Sequence, residues 1–174
     1  MIGRRRLTNG EGLASAGATR VIRPVVLSVL EAEGDVACID REIVFDVRPD
    51  WVVEGEDRVG YAGIIQLIEC TRELHERLDI ALPAAHLAFV TRTLKVDFLS
   101  PLHVGGTASA SYRVCDVGRA SYSLEVTIRD RATMKAVTIA TIVLVLVDSR
   151  MQPKAIDSVL CDRLRMLSEN GPTT

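Results

Sequence analysis

Apolar and polar residues alternate along several stretches of this 174-residue chain, and a period of two is typical of half-buried β-strands. In the first such stretch, at 36–47, Ile43, Phe45 and Val47 alternate with charged or polar residues, and an apolar run at 25–30 precedes it. Four more strand-like stretches follow, at 87–99, 107–114, 122–128 and 136–147. Turn residues separate these four stretches, so we expect hairpins and antiparallel pairing.

A helical pattern lies between the first strand and the other four. Its apolar residues recur every three or four positions and therefore share one helical face: Ile64, Leu67, Ile68, Leu74 and Leu78. We expect this helix to end near Ile80, before Pro83, and Asp57 to cap its N-terminus. Similar spacing predicts a short amphipathic helix within 156–167.

The order of elements favours an α+β domain in which one long helix covers the apolar face of an antiparallel sheet. The chain is long enough for one domain of ordinary size and too short for two. We expect a flexible basic tail over 1–20, a single domain over 21–167 and a frayed C-terminus over 168–174. The first 20 residues hold four arginines against one glutamate, so the rest of the chain is more acidic than the net charge of −2.

Composition disfavours several classes of function. The net charge of −2 lacks the basic excess that nucleic-acid binding needs, and no apolar run approaches the roughly 20 residues of a membrane-spanning helix. The four cysteines are far apart in sequence and share no metal-ligand spacing with the three histidines. We therefore expect the cysteines to be reduced and mostly buried, and we expect no metal site.

Three local sequence motifs give evidence about the family beyond the order of elements. The segment 57–61 reads Asp-Arg-Val-Gly-Tyr, the segment 96–102 reads Val-Asp-Phe-Leu-Ser-Pro-Leu, and 144–148 reads Leu-Val-Leu-Val-Asp before Pro153. Together they resemble the hotdog-fold acyl-CoA thioesterase superfamily, of the 4-hydroxybenzoyl-CoA thioesterase-like kind, in which 57–61 matches an Asp-x-x-Gly-His motif with Tyr61 in place of the histidine. The resemblance implies a hotdog fold, with a curved antiparallel β-sheet wrapped around one long central helix.

The resemblance also implies an activity. A protein of this family would hydrolyse the thioester of an acyl-CoA or an acyl-carrier-protein, in the cytoplasm, as a homodimer or homotetramer, with coenzyme A as part of the substrate and no other cofactor. The family's catalytic carboxylate matches Asp57 or, in members that carry it inside the central helix, Glu69. Backbone amides of Tyr61, Ala62 and Gly63 would hold the oxyanion, because the first turn of a helix presents unpaired N–H groups.

Other interpretations stay open at this point. Asp57 would serve as an ordinary capping residue, and Glu69 as a solvated partner of Arg72. His75 falls on the apolar side of the helix and is expected in the core, whereas His103 lies in a turn with no partner evident in the sequence. Two further functions share the fold: a non-catalytic protein that binds acyl thioesters, and a hydratase or dehydratase, whose expected His-Phe-Pro-Gly motif is missing.

Overall fold

The computed structural model describes residues 42–53, 55–82 and 85–169. The predicted tail at 1–20, the apolar run at 25–30 and residues 170–174 lie outside the described residues, so the domain bounds stay predictions. The predicted order of elements is confirmed: β1 (Ile43–Asp46), α1 (Tyr61–His75), β2 (Leu87–Phe98), β3 (Thr107–Val117), β4 (Ser121–Asp130), β5 (Ala136–Asp148) and α2 (Ser158–Glu169).

The described strands form one antiparallel sheet in the order β1-β3-β4-β5-β2. Strands β3, β4 and β5 are joined as hairpins, as predicted. The hairpin expected between β2 and β3 is wrong, because β2 pairs with β5 at the edge opposite β1. Turn residues mark where the chain bends but not which strand it meets next, so the segment 99–106 crosses between distant strands.

Helix α1 packs against the middle of this sheet. It contacts β3 and β4, and the inner face of β4 buries four large side chains almost completely: Tyr122, Leu124, Val126 and Ile128. Register shifts interrupt the pairing in β2 and β3, and such bulges bend a strand and increase its twist. The predicted α+β architecture, with a sheet around one central helix, is confirmed.

The apolar stripe of α1 is buried except at its last member. The chain widens into a π-helical turn at Glu76–Ile80, which ends the helical segment at Ile80 as predicted. Leu78 is half exposed, against expectation, while Asp79 and Ile80 are buried. A π-helical turn bonds residues five positions apart instead of four and so rotates the positions that follow it. The spacing of a regular helix therefore no longer predicts the buried face there.

The N-terminus of α1 differs from the prediction. Gly60, and not Asp57, is the N-cap residue, with no side-chain hydrogen bond to the helix. The chain stays extended up to this point because the Gly60 N–H donates to the Trp51 carbonyl (2.8 Å) and the Val59 N–H to the Leu102 carbonyl (2.8 Å). Asp57 therefore lies before the helix, with its carboxylate free of any capping role.

A buried polar cluster lies at the other end of α1. The Asp79 carboxylate accepts a hydrogen bond from the Tyr112 hydroxyl (2.5 Å) and lies 3.0 Å from His75 Nδ1. His75 is fully buried and contacts the rings of Tyr112 and Tyr122. The expectation that His75 packs in the core is confirmed, and Asp79 supplies the polar partner that a buried imidazole requires.

The cysteines at 70, 115 and 161 are less buried than expected, and Cys38 lies outside the described residues. Those in the described part of the chain are free thiols, with Cys70 and Cys161 partly buried and Cys115 exposed. Cys115 lies at the register shift of β3 and directly follows the buried Val114, so alternation along the strand puts its side chain on the outward face. No helix among the described residues has the length and apolarity to cross a membrane.

Candidate active site

The segment that enters α1 pairs with the segment that leaves β2. The Val59 N–H donates to the Leu102 carbonyl, and the Val104 N–H donates to the Asp57 carbonyl (2.9 Å). Between these bonds Arg58 and His103 form an antiparallel bridge. Two of the motifs singled out in the sequence, 57–61 and 96–102, are thereby brought together at the N-terminus of the central helix.

A cavity of about 310 Å³ opens at this junction. Its floor is apolar and consists of side chains from several parts of the chain, all of them buried: Val59, Ile64, Leu102 and Val137. The connection after β2 is fixed to the start of β5, because Leu99 N–H donates to the Val137 carbonyl and the Ser100 hydroxyl to the Ala136 carbonyl. The floor is therefore a rigid apolar surface.

Two aromatic rings form the rim of the cavity. Tyr61 is the first residue of α1, and Phe98 is the last residue of β2. Their ring centroids lie 4.6 Å apart with the planes tilted by 49°. Tyr61 is 66% exposed and Phe98 46% exposed, an unusual state for two adjacent rings in a protein surface. Such an exposed aromatic pair beside an apolar cavity is typical of a site that receives an apolar ligand.

Asp57 contacts His103, a partner that the sequence did not reveal. Its carboxylate is 3.3 Å from His103 Nδ1, and both side chains are solvent-exposed. His103 lies opposite Arg58 in the bridge, and directly opposed residues of an antiparallel pair point to the same face. Arg58 lines the cavity, whereas Asp57 and His103 are not among the lining residues.

Arg58 is a cation beside the cavity. It lines the cavity wall and pairs with the Glu56 carboxylate. The hydrogen bond and the charge of Glu56 raise the pKa of the Arg58 guanidinium, so this group stays protonated throughout the ordinary pH range. Glu56, Asp57 and Arg58 thus place two carboxylates and an arginine at three consecutive positions. His103 is the bridge partner of Arg58.

The predicted oxyanion-binding residues differ in their surroundings. Ile64 N–H bonds the Gly60 carbonyl (3.2 Å), so the amides of Tyr61, Ala62 and Gly63 precede the first regular helical bond. Tyr61 lines the cavity and Ala62 is exposed, while Gly63 is buried. A Cβ atom on Gly63 would lie only 2.8 Å from the Trp51 Cβ atom, so Gly63 serves the close packing of the helix.

Glu69 lies two turns further along α1, about 12 Å from the start of the helix. Its carboxylate accepts a hydrogen bond from Arg72 Nε (2.9 Å), and Arg72 also bonds Glu76 (2.5 Å). Glu69 is not among the residues that line the cavity. Asp57 is not a lining residue either, but it directly precedes the lining residue Arg58, whereas Glu69 lies apart from that segment in a single chain.

A metal centre finds no support among the described residues. Nowhere in 42–53, 55–82 and 85–169 do three or more histidine, cysteine, aspartate or glutamate side chains come together as metal ligands would. The carboxylate and imidazole groups beside the cavity meet in the Asp57–His103 contact.

Sequence comparison relates the middle of the chain to a known family. Residues 69–137 match the model of the thioesterase superfamily. No curated protein matches this chain in sequence. The matched range covers the second half of α1 and strands β2 to β4, which includes the rim residue Phe98 but not Asp57 or Tyr61.

Solved structures share the fold of the described domain. A probable thioesterase from Escherichia coli is 17% identical, with 72% of this chain and 97% of that chain covered and a TM-score of 0.64. A thioesterase from Thermus thermophilus complexed with coenzyme A and Zn is 22% identical, covering 71% and 96%, with a TM-score of 0.63. A 12:0-ACP thioesterase from Umbellularia californica is 15% identical, covering 74% and 53%, with a TM-score of 0.64.

These matches agree with the architecture derived above. At such identities a structural likeness establishes the fold, and the family match adds the sequence signal of residues 69–137. The resemblance to the hotdog-fold thioesterase superfamily that the sequence indicates is therefore confirmed.

Proposed function

We propose that this protein hydrolyses the thioester bond of an acyl-CoA or an acyl-carrier-protein. The observation that carries the proposal is the apolar cavity beside the N-terminus of α1, which Tyr61 and Arg58 line and which Asp57 directly precedes in the chain. An acyl chain would occupy the apolar floor, and its thioester carbonyl would lie at the rim. The superfamily match of residues 69–137 supports this reaction class.

In the proposed reaction the Asp57 carboxylate activates a water molecule. The water oxygen attacks the thioester carbonyl carbon while its proton passes to the carboxylate. The carbonyl oxygen becomes an oxyanion, which the amides of Tyr61 and Ala62 stabilise because they lie at the positive end of the helix dipole. The carbon–sulfur bond then breaks, the thiolate leaves, and the proton held by Asp57 passes to the sulfur.

The surroundings of the two candidate carboxylates favour Asp57. Asp57 directly precedes the cavity-lining Arg58, and its carboxylate contacts the exposed His103. Glu69 is already engaged with Arg72 and lies two helical turns away. His103 would orient the Asp57 carboxylate through their contact of 3.3 Å. No metal or redox cofactor takes part in this scheme.

The structural neighbours point to two thiol carriers, coenzyme A and an acyl-carrier-protein. One structural neighbour is complexed with coenzyme A, and another is a 12:0-ACP thioesterase. Both carriers present the same phosphopantetheine thioester chemistry to a catalytic site, so both belong in the assay. The cytoplasmic location stays a prediction from the sequence.

We also propose that the protein acts as a homo-oligomer through the open edge of β2. This strand has 12 residues and lies at the end of the described sheet, where one side of its backbone has no neighbouring strand. An open edge of this length readily pairs with a second copy. Phe98, at the end of β2, would then bring the cavity close to the partner subunit.

Light scattering after size exclusion tests the oligomer. At micromolar concentration we expect a mass of two or four times the 19.0 kDa chain, because pairing at the β2 edge satisfies backbone groups that are otherwise left to solvent. A species of 19.0 kDa across this concentration range would rule out an assembly built on β2.

Release of free thiol tests the proposed reaction. The full chain is incubated with acyl-CoA substrates of several chain lengths and with the matching acyl-carrier-proteins, and the thiol is detected colorimetrically. Turnover supports hydrolysis and excludes a purely binding role. Binding of acyl-CoA without turnover would instead support the non-catalytic alternative, and formation or loss of a hydroxyl group on the acyl chain would support a hydratase or dehydratase.

A further inference from the structure

Two neighbouring rings in the core each bury a polar atom that has no protein partner. His75 and Tyr122 are both fully buried, and their ring centroids lie 5.8 Å apart with the planes at 65°. Across the described parts of the chain, His75 Nε2 and the Tyr122 hydroxyl are the buried side-chain atoms that no protein group hydrogen-bonds. Nearly all buried polar side-chain atoms in proteins bond either a protein group or an ordered water, so this pair requires a partner.

The contact between His75 and Asp79 determines what Nε2 needs. The Asp79 carboxylate lies 3.0 Å from His75 Nδ1, and a carboxylate accepts hydrogen bonds. Nδ1 therefore carries the proton, and in a neutral imidazole with this tautomer Nε2 is an acceptor. The Tyr122 hydroxyl has one proton to donate, but it does not bond Nε2 directly. An acceptor and a donor are thus left in adjacent side chains.

A carboxylate lies beside the same two side chains. Glu76 begins the π-helical turn directly after His75 and accepts a hydrogen bond from Arg72. Burial raises the pKa of the Tyr122 hydroxyl, and Glu76 is the neighbouring charge that raises it most. Burial also raises the pKa of Glu76, whereas Arg72 and, after it, His75 lower it. The Glu76 carboxylate is therefore close to both His75 and Tyr122.

We propose that one buried water molecule is bound between His75, Tyr122 and Glu76. The water accepts a hydrogen bond from the Tyr122 hydroxyl and donates one to His75 Nε2 and one to the Glu76 carboxylate. About three hydrogen bonds are typical of a buried water, and these three supply both missing partners. His75 lies on α1 and Tyr122 on β4, so the water joins the central helix to the sheet. The site is independent of the proposed reaction.

A high-resolution crystal structure of the full chain tests whether the site is occupied. We expect an electron-density peak at hydrogen-bond distance, about 2.7–3.2 Å, from both His75 Nε2 and the Tyr122 hydroxyl oxygen. A direct bond between these two atoms, or the absence of density between them, would overturn the proposal.

Tyr122→Phe tests the energetics of the site, because it keeps the ring and removes only the hydroxyl. If the hydroxyl bonds the water, its loss should lower the midpoint of urea unfolding by about 0.5 M. If the hydroxyl is instead unpaired in the core, its loss removes an unsatisfied buried polar group and should raise the midpoint. An unchanged or higher midpoint would therefore contradict the water site.

Tyr112→Phe is the matched reference for this measurement. The Tyr112 hydroxyl donates directly to Asp79 (2.5 Å), so its removal should lower the urea midpoint whether or not the water is bound. With the water in place, Tyr122→Phe should lower the midpoint as well. A lower midpoint in Tyr112→Phe alone would show that the Tyr122 hydroxyl has no partner and would refute the proposal.

Discussion

Asp57→Asn should lower kcat/KM for thioester hydrolysis by about 100-fold or more, because a positioned general base contributes roughly 10²–10⁴ to a rate. The substitution keeps the shape of the side chain and removes its basicity. Asp57 is exposed and lies outside the helix, so the fold should remain intact, which circular dichroism and thermal unfolding would verify. Thiol release under subsaturating substrate gives kcat/KM directly.

Two further variants make this result interpretable. Asp162→Asn replaces another exposed aspartate, which lies on α2 and contacts Arg165 at 3.7 Å, and it should leave kcat/KM unchanged. Glu69→Gln should change kcat/KM by less than about tenfold, roughly 1.4 kcal/mol. A large loss in Glu69→Gln with none in Asp57→Asn would move the catalytic carboxylate to the central helix.

Asp79→Ala should lower the free energy of unfolding by about 3–5 kcal/mol. The substitution leaves His75 Nδ1 and the Tyr112 hydroxyl without their buried acceptor, and each polar group left unpaired in the interior costs about 1–3 kcal/mol. Tyr112→Phe removes one of these bonds and should cost about half as much. Urea unfolding of the variants beside the wild type measures both differences.

The same variants separate stability from catalysis. Asp79 lies beyond the C-terminal end of α1, and the helix itself spans 15 residues, about 22 Å. The folded fraction of Tyr112→Phe should therefore keep the wild-type kcat/KM, although His75, Asp79 and Tyr112 together have the side-chain types of a catalytic group. A fall of about tenfold or more in a fully folded Tyr112→Phe protein would assign this cluster a part in the reaction.

The sequence predicts the elements well and their connections less well. The alternation of apolar and polar residues identifies the strands, and the three- and four-residue spacing of apolar residues identifies α1, because an element that buries one face has apolar residues at regular intervals. The pairing of β2 with β5 produces no such periodicity, since the apolar face of a strand is the same whichever strand it pairs with. The π-helical turn after His75 likewise changes which side chains are buried without changing the local composition.

The candidate site was likewise predicted only where its residues lie in one local motif. Asp57 and Tyr61 were identified through a local motif; Tyr61 lines the cavity, and Asp57 directly precedes the lining residue Arg58. His103 and Val137 were missed because they join the site through the bridge to Arg58 and through the start of β5. Phe98 belongs to a motif noted in the sequence, but its exposure and its contact with Tyr61 depend on where the end of β2 meets the start of α1.

Thiol release by the wild-type full chain tests the central claim most directly. With acyl thioesters of several chain lengths, on coenzyme A and on a carrier protein, we expect formation of free thiol and free acid in equal amounts over many turnovers. Binding of these substrates without any release of thiol would contradict the assignment of this protein as a thioester hydrolase.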